Sequence, residues 1–298
     1  MGDAERRAGS RRQPHNDVRM PRWLHRPIHA GRNLHEVDGI LREKGLHTVC
    51  ESAKCPNRME CFSNRTATFM LLGEVCTRDC AFCSVAKGVP GEVDAGEPQR
   101  VAEAAASMGL RHVVMTSVTR DDLPDGGAGH FAAAVREVRR RLPGASVEVL
   151  TPDFRGDLEA LKVVLAEGPD VFNHNLETVE ELYPRVRPQA DYGASLELLR
   201  EAKRIAPASN TKSGIMVGLG ETRHQLGRLL RDLADAGCDM LTIGQYLRPS
   251  NGQVRVDRFL SPLEFDELGA EAAGAGIGQV ASGPFVRSSY RARELLKK

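Results

Sequence analysis

The stretch ATFMLLGEVCTRDCAFCSV, residues 67–85, joins an apolar run of strand length to three cysteines, Cys76, Cys80 and Cys83, spaced CxxxCxxC. Thiolates are soft ligands suited to zinc and to iron–sulfur clusters. Structural zinc sites are filled by four protein ligands, usually in paired CxxC or CxxC with HxxxH patterns. No fourth Cys or His follows Cys83 nearby. Three thiolates on a tight loop can instead hold a 4Fe–4S cube with one iron left open, and an open iron is a place for a substrate or cosubstrate. The missing ligand is therefore itself a functional signal.

Upstream lies a second trio that also stops at three, CESAKCPNRMEC, with Cys50, Cys55 and Cys61. Of the seven cysteines, six fall within 34 residues. A secreted disulfide scaffold is normally shorter and spreads its cysteines more evenly, so the spacing reads as metal binding. Cys238, in ADAGCDML, stands apart and reads as a small buried apolar side chain.

Working outward from residue 67, short apolar runs alternate with longer helical patterns. HVVMTSV, SVEVLTPDF, DVFNHNLET, TKSGIMVGLGE and DMLTIGQYL are near-continuous Val, Ile, Leu and Met. Between them, segments such as GHFAAAVREVRRRL and SLELLREAKRIA repeat apolar residues at three- and four-residue steps. This alternation means βαβ units and a parallel sheet. Six units predict an α/β fold, a partial (β/α)6 TIM-like barrel, with N-terminal and C-terminal extensions covering the barrel mouth. The expected division is a disordered basic tail at 1–20, an extension with the upstream cysteines at 21–65, the barrel at 66–250 and a C-terminal extension at 251–298.

Polar residues gather where each run ends: Thr116 and Ser117, Thr151 and Asp153, Asn173 to Glu177, Glu221, Gln245 and Tyr246. In a parallel barrel these strand ends share one face, where chemistry collects. Cys76, Cys80 and Cys83 follow the first strand and belong to the same mouth. His174, within that set, reads equally as a satisfied core histidine.

The 298 residues carry 41 Lys and Arg against 40 Asp and Glu, a formal charge of +1. That balance argues for neither nucleic acid nor an anionic membrane as a partner. No apolar run approaches the ~20 residues that span a bilayer, and the N-terminus lacks the apolar core of a secretory signal. A cytoplasmic protein is expected.

CxxxCxxC after the first strand of a partial barrel resembles the radical S-adenosylmethionine superfamily, and Phe82 between the last two cysteines also matches. NHNLET is similar to a run in biotin synthase whose Asn and acidic residues hold the ribose, which implies Asn175 and Glu177 as S-adenosylmethionine contacts. GIMVGLGE, residues 214–221, resembles the superfamily motif beside the adenosine. The upstream trio together with RSSY, residues 287–290, resembles the lipoyl synthase family, and the likeness runs over about residues 20–292.

That resemblance implies two 4Fe–4S clusters. One, on Cys76, Cys80 and Cys83, cleaves S-adenosylmethionine reductively. The other is an auxiliary cluster on Cys50, Cys55, Cys61 and Ser289 that gives up its sulfide. The implied reaction inserts two sulfurs at carbons 6 and 8 of an octanoyl chain on a lipoyl carrier domain of 2-oxoacid dehydrogenase subunits or of the glycine cleavage carrier protein. A flavodoxin- or ferredoxin-like electron donor and a cluster assembly or repair protein are implied partners. No catalytic residue is implied beyond the cluster ligands. Two departures stand out: NGQVRV, residues 251–256, where the family commonly has a His-Leu-Pro-Val-like run, and RHQL after GLGET. Neither is expected to touch a proposed ligand. A sulfur-inserting relative of biotin synthase and a zinc-stabilised binding protein are the competing readings. The upstream trio and RSSY count against the first.

Overall fold

A computed structural model describes residues 19–25 and 31–296. Most of the expected basic tail lies outside the described residues. Among the described residues, a short 3-10 turn at Arg22–Leu24 precedes α1 (Arg32–Glu43), β1 (His47–Thr48), α2 (Val49–Ser52) and α3 (Arg58–Ser63). Next come β2 (Thr68–Leu71) and the paired short strands β3 (Val75–Cys76) and β4 (Ala86–Lys87). The repeating part runs α4 (Glu97–Ser107), β5 (His112–Ser117), α5 (Ala128–Arg141), β6 (Ser146–Leu150), α6 (Leu158–Leu165) and β7 (Val171–Asn173). It continues through α7 (Tyr183–Val186), α8 (Tyr192–Ile205), β8 (Asn210–Val217), α9 (Arg223–Asp235) and β9 (Met240–Gln245). The chain closes with α10 (Pro262–Gly274), β10 (Gln279–Gly283) and α11 (Ala292–Leu295).

The main sheet has the order β1-β2-β5-β6-β7-β8-β9-β10. Only β1 pairs antiparallel to its neighbour, His47 opposite Met70, and every other pairing is parallel. Helices carry the crossovers, as parallel neighbours require. The six apolar runs all form strands in this sheet, and β1 and β10 are its open edges. β10 was not legible as a strand. Its residues, QVASG, are small, partly polar and only half-buried, which is the composition of an edge rather than of a core run.

The helix starts are locally encoded. Asp157 and Asp191 cap α6 and α8 through their carboxylates, and Thr222 with Gln225 and Ser261 with Glu264 form capping boxes on α9 and α10. One apolar core packs α1, α4, α5 and α6 on β2, β5 and β6, with Phe62, Phe69, Phe131 and Phe172 fully buried. A second joins α9 and α10 to β8 and β9 around Leu230, Leu241 and Phe265. Inside the sheet, Lys212 and Glu148 are an ion pair at 2.8 Å, both essentially inaccessible, with His112 Nε2 3.3 Å from the same carboxylate. Burial alone would raise the Glu148 carboxyl, but the charges of Lys212 and His112 hold it well below the usual range. Among the described residues no helix is long and apolar enough to cross a membrane.

Candidate active site

β2 ends in a tight turn, with Leu72 and Gly73 at φ 67° and 88°. The Leu72 side chain lies against Gly127, whose φ of 91° favours glycine and whose added Cβ would stand 2.3 Å from Leu72 Cδ1, forcing that side chain to move. The cysteine loop follows, and it is tied down mainly through its backbone. Ala81 N donates to Val186 O at 2.9 Å, and Ala81 O accepts from Val254 N at 2.9 Å. The Cys76 sulfur accepts from the main-chain nitrogens of Arg78 (3.4 Å) and Thr119 (3.3 Å).

Arg78, inside the motif, is only 7% exposed. Its guanidinium donates through Nε and Nη2 to Asp121 (2.7 and 2.9 Å) and through Nη1 and Nη2 to Asp153 (2.6 and 2.7 Å). Burial would lower its pKa, but these hydrogen bonds to Asp153 and Asp121 raise it above the ordinary value. RDDLPDGG reads in sequence only as a turn. In the fold its Asp121 anchors the cysteine loop.

The strand ends, the upstream segment and the C-terminal segment enclose one chamber, whose empty space, mouth included, is about 1720 Å³. Its wall includes Cys50 and Cys55, then Cys76, Phe82, Cys80 and Cys83, then Asn175 and Glu177, and Ser289. Thr116, Ser117, Thr151, Asp153 and Tyr246 line it as well. Cys61, on α3, is half-buried against the first core and is the one proposed ligand not on that wall. Phe82 also packs against Val186, Leu219 and Tyr246.

Two strand-end residues do structural work instead. Glu221 accepts from Gly218 N and Leu219 N (2.6 and 2.8 Å), and the Gln245 amide bridges Val217 O, Arg258 O and Leu260 N. Cys238 is buried and hydrogen-bonds the Met240 carbonyl, away from the chamber.

Electrostatics separate the chamber residues. Burial pushes the Cys50 and Cys83 thiols up to about 12, and burial raises Cys80 too. These sulfurs become thiolates readily only beside positive charge, which iron would supply. Glu177 sits at φ 66°, a conformation a non-glycine residue rarely adopts, and its backbone bridges Gly214 O and Met216 N. Burial raises its carboxyl above the usual value despite the nearby Arg187. Asn175 Nδ2 donates to Glu177 Oε1 at 3.0 Å and to Ser288 Oγ at 2.7 Å.

Arg187, absent from the sequence-level set, is buried behind this pair. Its Nη1 donates to the Asn175 and Leu176 carbonyls (3.0 and 3.1 Å), while its Nε has no partner among the described residues. His174 is buried, and burial with the Arg187 charge lowers its pKa to about 4. Its Nδ1–H donates to Thr151 O at 2.9 Å, leaving Nε2 a buried acceptor with no partner among the described residues. Half of the core-histidine expectation therefore holds. The Ser117 and Thr151 hydroxyls are orphaned in the same way on the chamber wall.

The C-terminal segment reaches the chamber because two strands make room for it. A Cβ on Gly244 would stand 2.1 Å from Val286 O, and one on Gly214 would stand 2.7 Å from Ser288 Oγ. The same segment clasps the upstream extension. Asn57 Nδ2 donates to Phe285 O at 2.7 Å, Tyr290 Oη to Glu60 Oε1 at 2.9 Å, and Thr68 Oγ1 to Ser289 Oγ at 2.7 Å. The departure at residues 251–256 does touch a proposed ligand: Gln253 Nε2 donates to the Cys83 carbonyl at 3.2 Å. The expectation that it would not is corrected. The chain returns from β9 over the cysteine loop, a proximity that motif spacing could not reveal.

The residues fit iron–sulfur chemistry. N–H donors on the Cys76 sulfur and orphaned polar atoms on the facing wall suit a cluster with a polar ligand beside it.

Comparison with known proteins agrees. A family model described as the radical SAM superfamily matches residues 70–233. A second, described as the N-terminal domain of lipoyl synthase of the radical SAM family, matches residues 3–55. Fold and site thus define a radical S-adenosylmethionine enzyme, a class that implies a 4Fe–4S cluster and S-adenosylmethionine.

The chain is 55% identical to lipoyl synthase from Rubrobacter xylanophilus over 92% of its own length and 85% of that protein. It is 54% identical to lipoyl synthase from Caldanaerobacter subterraneus subsp. tengcongensis, over 92% of this chain and 96% of that one. It belongs to the lipoyl synthase family. Among solved structures it resembles methylornithine synthase (TM-score 0.52, 17% identity, 87% of this chain and 86% of that one). It also resembles Streptococcus suis SuiB bound to S-adenosylmethionine (TM-score 0.55, 11% identity, 71% and 49%). These last two likenesses concern the fold alone.

Proposed function

We propose that the chain inserts two sulfur atoms, at carbons 6 and 8, into an octanoyl group carried on a protein, the step that completes lipoate. Its substrates would be octanoylated carrier domains of 2-oxoacid dehydrogenase subunits and the glycine cleavage carrier protein. A flavodoxin- or ferredoxin-like donor would supply electrons, and a cluster assembly protein would restore lost sulfide.

Cys76, Cys80 and Cys83 would hold the cluster that binds S-adenosylmethionine, with Asn175 and Glu177 on its ribose. Cys50, Cys55, Cys61 and Ser289 would hold an auxiliary 4Fe–4S cluster. When bound, these groups supply the one-electron chemistry that breaks an unactivated C–H bond, together with the sulfur. No acid–base pair on this chain could break such a bond.

The protein's own part is placement. Arg78, clamped between Asp121 and Asp153, fixes the loop that presents Cys76, Cys80 and Cys83. The Arg187 guanidinium supports Asn175 through its carbonyl and offers a spare N–H for an anionic group. Neutral His174 leaves an acceptor on the wall without adding charge. The C-terminal segment roofs the mouth and limits water, which such reactive chemistry requires.

The observation that carries this reading is convergence. Cysteines from both trios and Ser289, far apart in sequence, line one chamber. The test is anaerobic metal and sulfide analysis, followed by mass spectrometry of an octanoyl-lysine peptide incubated with reductant and S-adenosylmethionine. About eight irons per chain and a lipoyl product are expected. A zinc protein without iron, or eight irons with no sulfur in the product, would defeat it.

A further inference from the structure

Thr68 is the first residue of β2, buried at 3% exposure, and it has no place in either cysteine motif. Its hydroxyl donates to Ser289 Oγ at 2.7 Å, across 221 residues of sequence. Thr68, Cys50 and Ser289 line the same chamber. One side chain on a rigid strand therefore holds the serine from the other end of the chain on the wall that also carries the cysteine opening the upstream trio. The pairing places it well: Thr68 sits opposite Val114 in β5, and its neighbour Phe69 opposite Thr48 in β1, the residue just before Cys50's helix.

Ser289 has little else to orient it. It lies in a turn between β10 and α11, half-buried. An alcohol is a poor partner for iron in a sulfide cage compared with a thiolate, so its position decides whether it binds. A hydroxyl turns freely about its Cα–Cβ bond among staggered rotamers, and one 2.7 Å hydrogen bond from a fixed strand selects one of them.

Resting on the auxiliary-cluster reading above, we propose that Thr68 is a positioning residue that presents Ser289 to the auxiliary cluster and sets how readily that ligand lets go. Thr68→Val removes the hydroxyl, keeps the β-branched shape a strand favours, and leaves Cys50, Cys55, Cys61 and Ser289 in place. Thr68→Ser keeps the hydroxyl and loses only a methyl group.

The experiment uses anaerobically reconstituted, 57Fe-labelled holoenzyme. It measures iron release to a ferrous chelator and the Mössbauer spectrum of the iron that lacks a cysteine. Cys76→Ala/Cys80→Ala/Cys83→Ala protein, which carries only the upstream cluster, serves as background for both substitutions. In Thr68→Val, auxiliary iron should leave roughly five- to tenfold faster than with Thr68, the scale of one hydrogen bond lost. The signal of the serine-bound iron should shift toward that of Ser289→Ala. Thr68→Ser should restore both.

Release and spectrum unchanged in Thr68→Val, with the auxiliary cluster present, overturn the proposal. So does a Thr68→Ser protein as impaired as Thr68→Val, because that traces the effect to packing. Loss of the cluster from Thr68→Val but not from Thr68→Ser supports it. A wild-type protein with only about four irons per chain overturns the auxiliary-cluster reading itself, and the proposal with it.

Discussion

The two cysteine trios are built in opposite ways. The loop bearing Cys76, Cys80 and Cys83 is braced from within the barrel. Its buried Arg78 is locked by Asp121 and Asp153, 43 and 75 residues away, and its sulfur takes backbone N–H donors. The segment bearing Cys50, Cys55 and Cys61 rides on helices of four and six residues, and the far end of the chain closes it. Asn57, Glu60 and Thr68 meet Phe285, Tyr290 and Ser289 across 228, 230 and 221 residues. A site made chiefly by the barrel's own strand ends takes only a few ties from beyond them, Gln253 and Val254 to the cysteine loop and Ser288 to Asn175. A site completed by two chain ends is only as secure as their few contacts, each of which must offset the entropy of ordering the groups that make it. Under the proposed function, that arrangement would suit a cluster used up in the reaction, whereas the other would have to survive every turnover.

The contrast is most severely tested at the ligands. Cys80→Ala should abolish 5′-deoxyadenosine formation altogether. Ser289→Ala should keep it and lose the lipoyl product, and product made at the wild-type rate would erase the assigned difference. Arg78→Met comes next. It leaves two carboxylates facing each other without their cation, at a cost of about 3–5 kcal/mol. Denaturant unfolding should show that loss, and iron analysis should show the cleavage cluster lost before the auxiliary one.

Gly244→Ala attacks the other region. Its Cβ meets backbone rather than a flexible tip, so about 1–3 kcal/mol of overpacking should lift the C-terminal segment. Hydrogen exchange over residues 284–291 should quicken while S-adenosylmethionine cleavage persists.

Acid separates the regions more gently. Burial would raise the Asp153 carboxyl, but Arg78's hydrogen bonds and charge hold it down at about 2. A depressed carboxyl contributes its full stability above its unfolded value, near pH 4, and loses it as the pH falls through about 2. The loss is about 2 kcal/mol. Asp153→Asn should flatten that part of the stability–pH curve. The smallest effect belongs to Tyr290→Phe, which removes the hydrogen bond to Glu60. It should cost about 1 kcal/mol and raise local exchange without moving the global unfolding midpoint much.

Much of this molecule was legible in the chain itself. The six apolar runs became strands because both faces of a parallel sheet are buried, and a near-continuous hydrophobic stretch has little else to do. Cys76, Cys80 and Cys83 were readable as one site because a loop keeps residues three and four apart together however the rest folds. The seventh parallel strand escaped notice because an edge strand need not be apolar. Arg78 and Arg187 escaped because an arginine in sequence reads as solvated, and only their surroundings show them buried. Glu221 and Gln245 looked like site residues, but hydrogen bonds to main-chain groups employ them as braces instead.

Local spacing and periodicity, which depend on the covalent chain alone, determined the barrel, the two trios and the chemistry thiolates permit. Tertiary structure alone decided which distant groups complete them: that Asp121 and Asp153 share Arg78, that Gly214 and Gly244 admit the C-terminal segment, and that Thr68 holds Ser289. Contacts between residues tens to hundreds of positions apart are set by how cores pack and where space remains, and nothing in a short stretch of sequence encodes that.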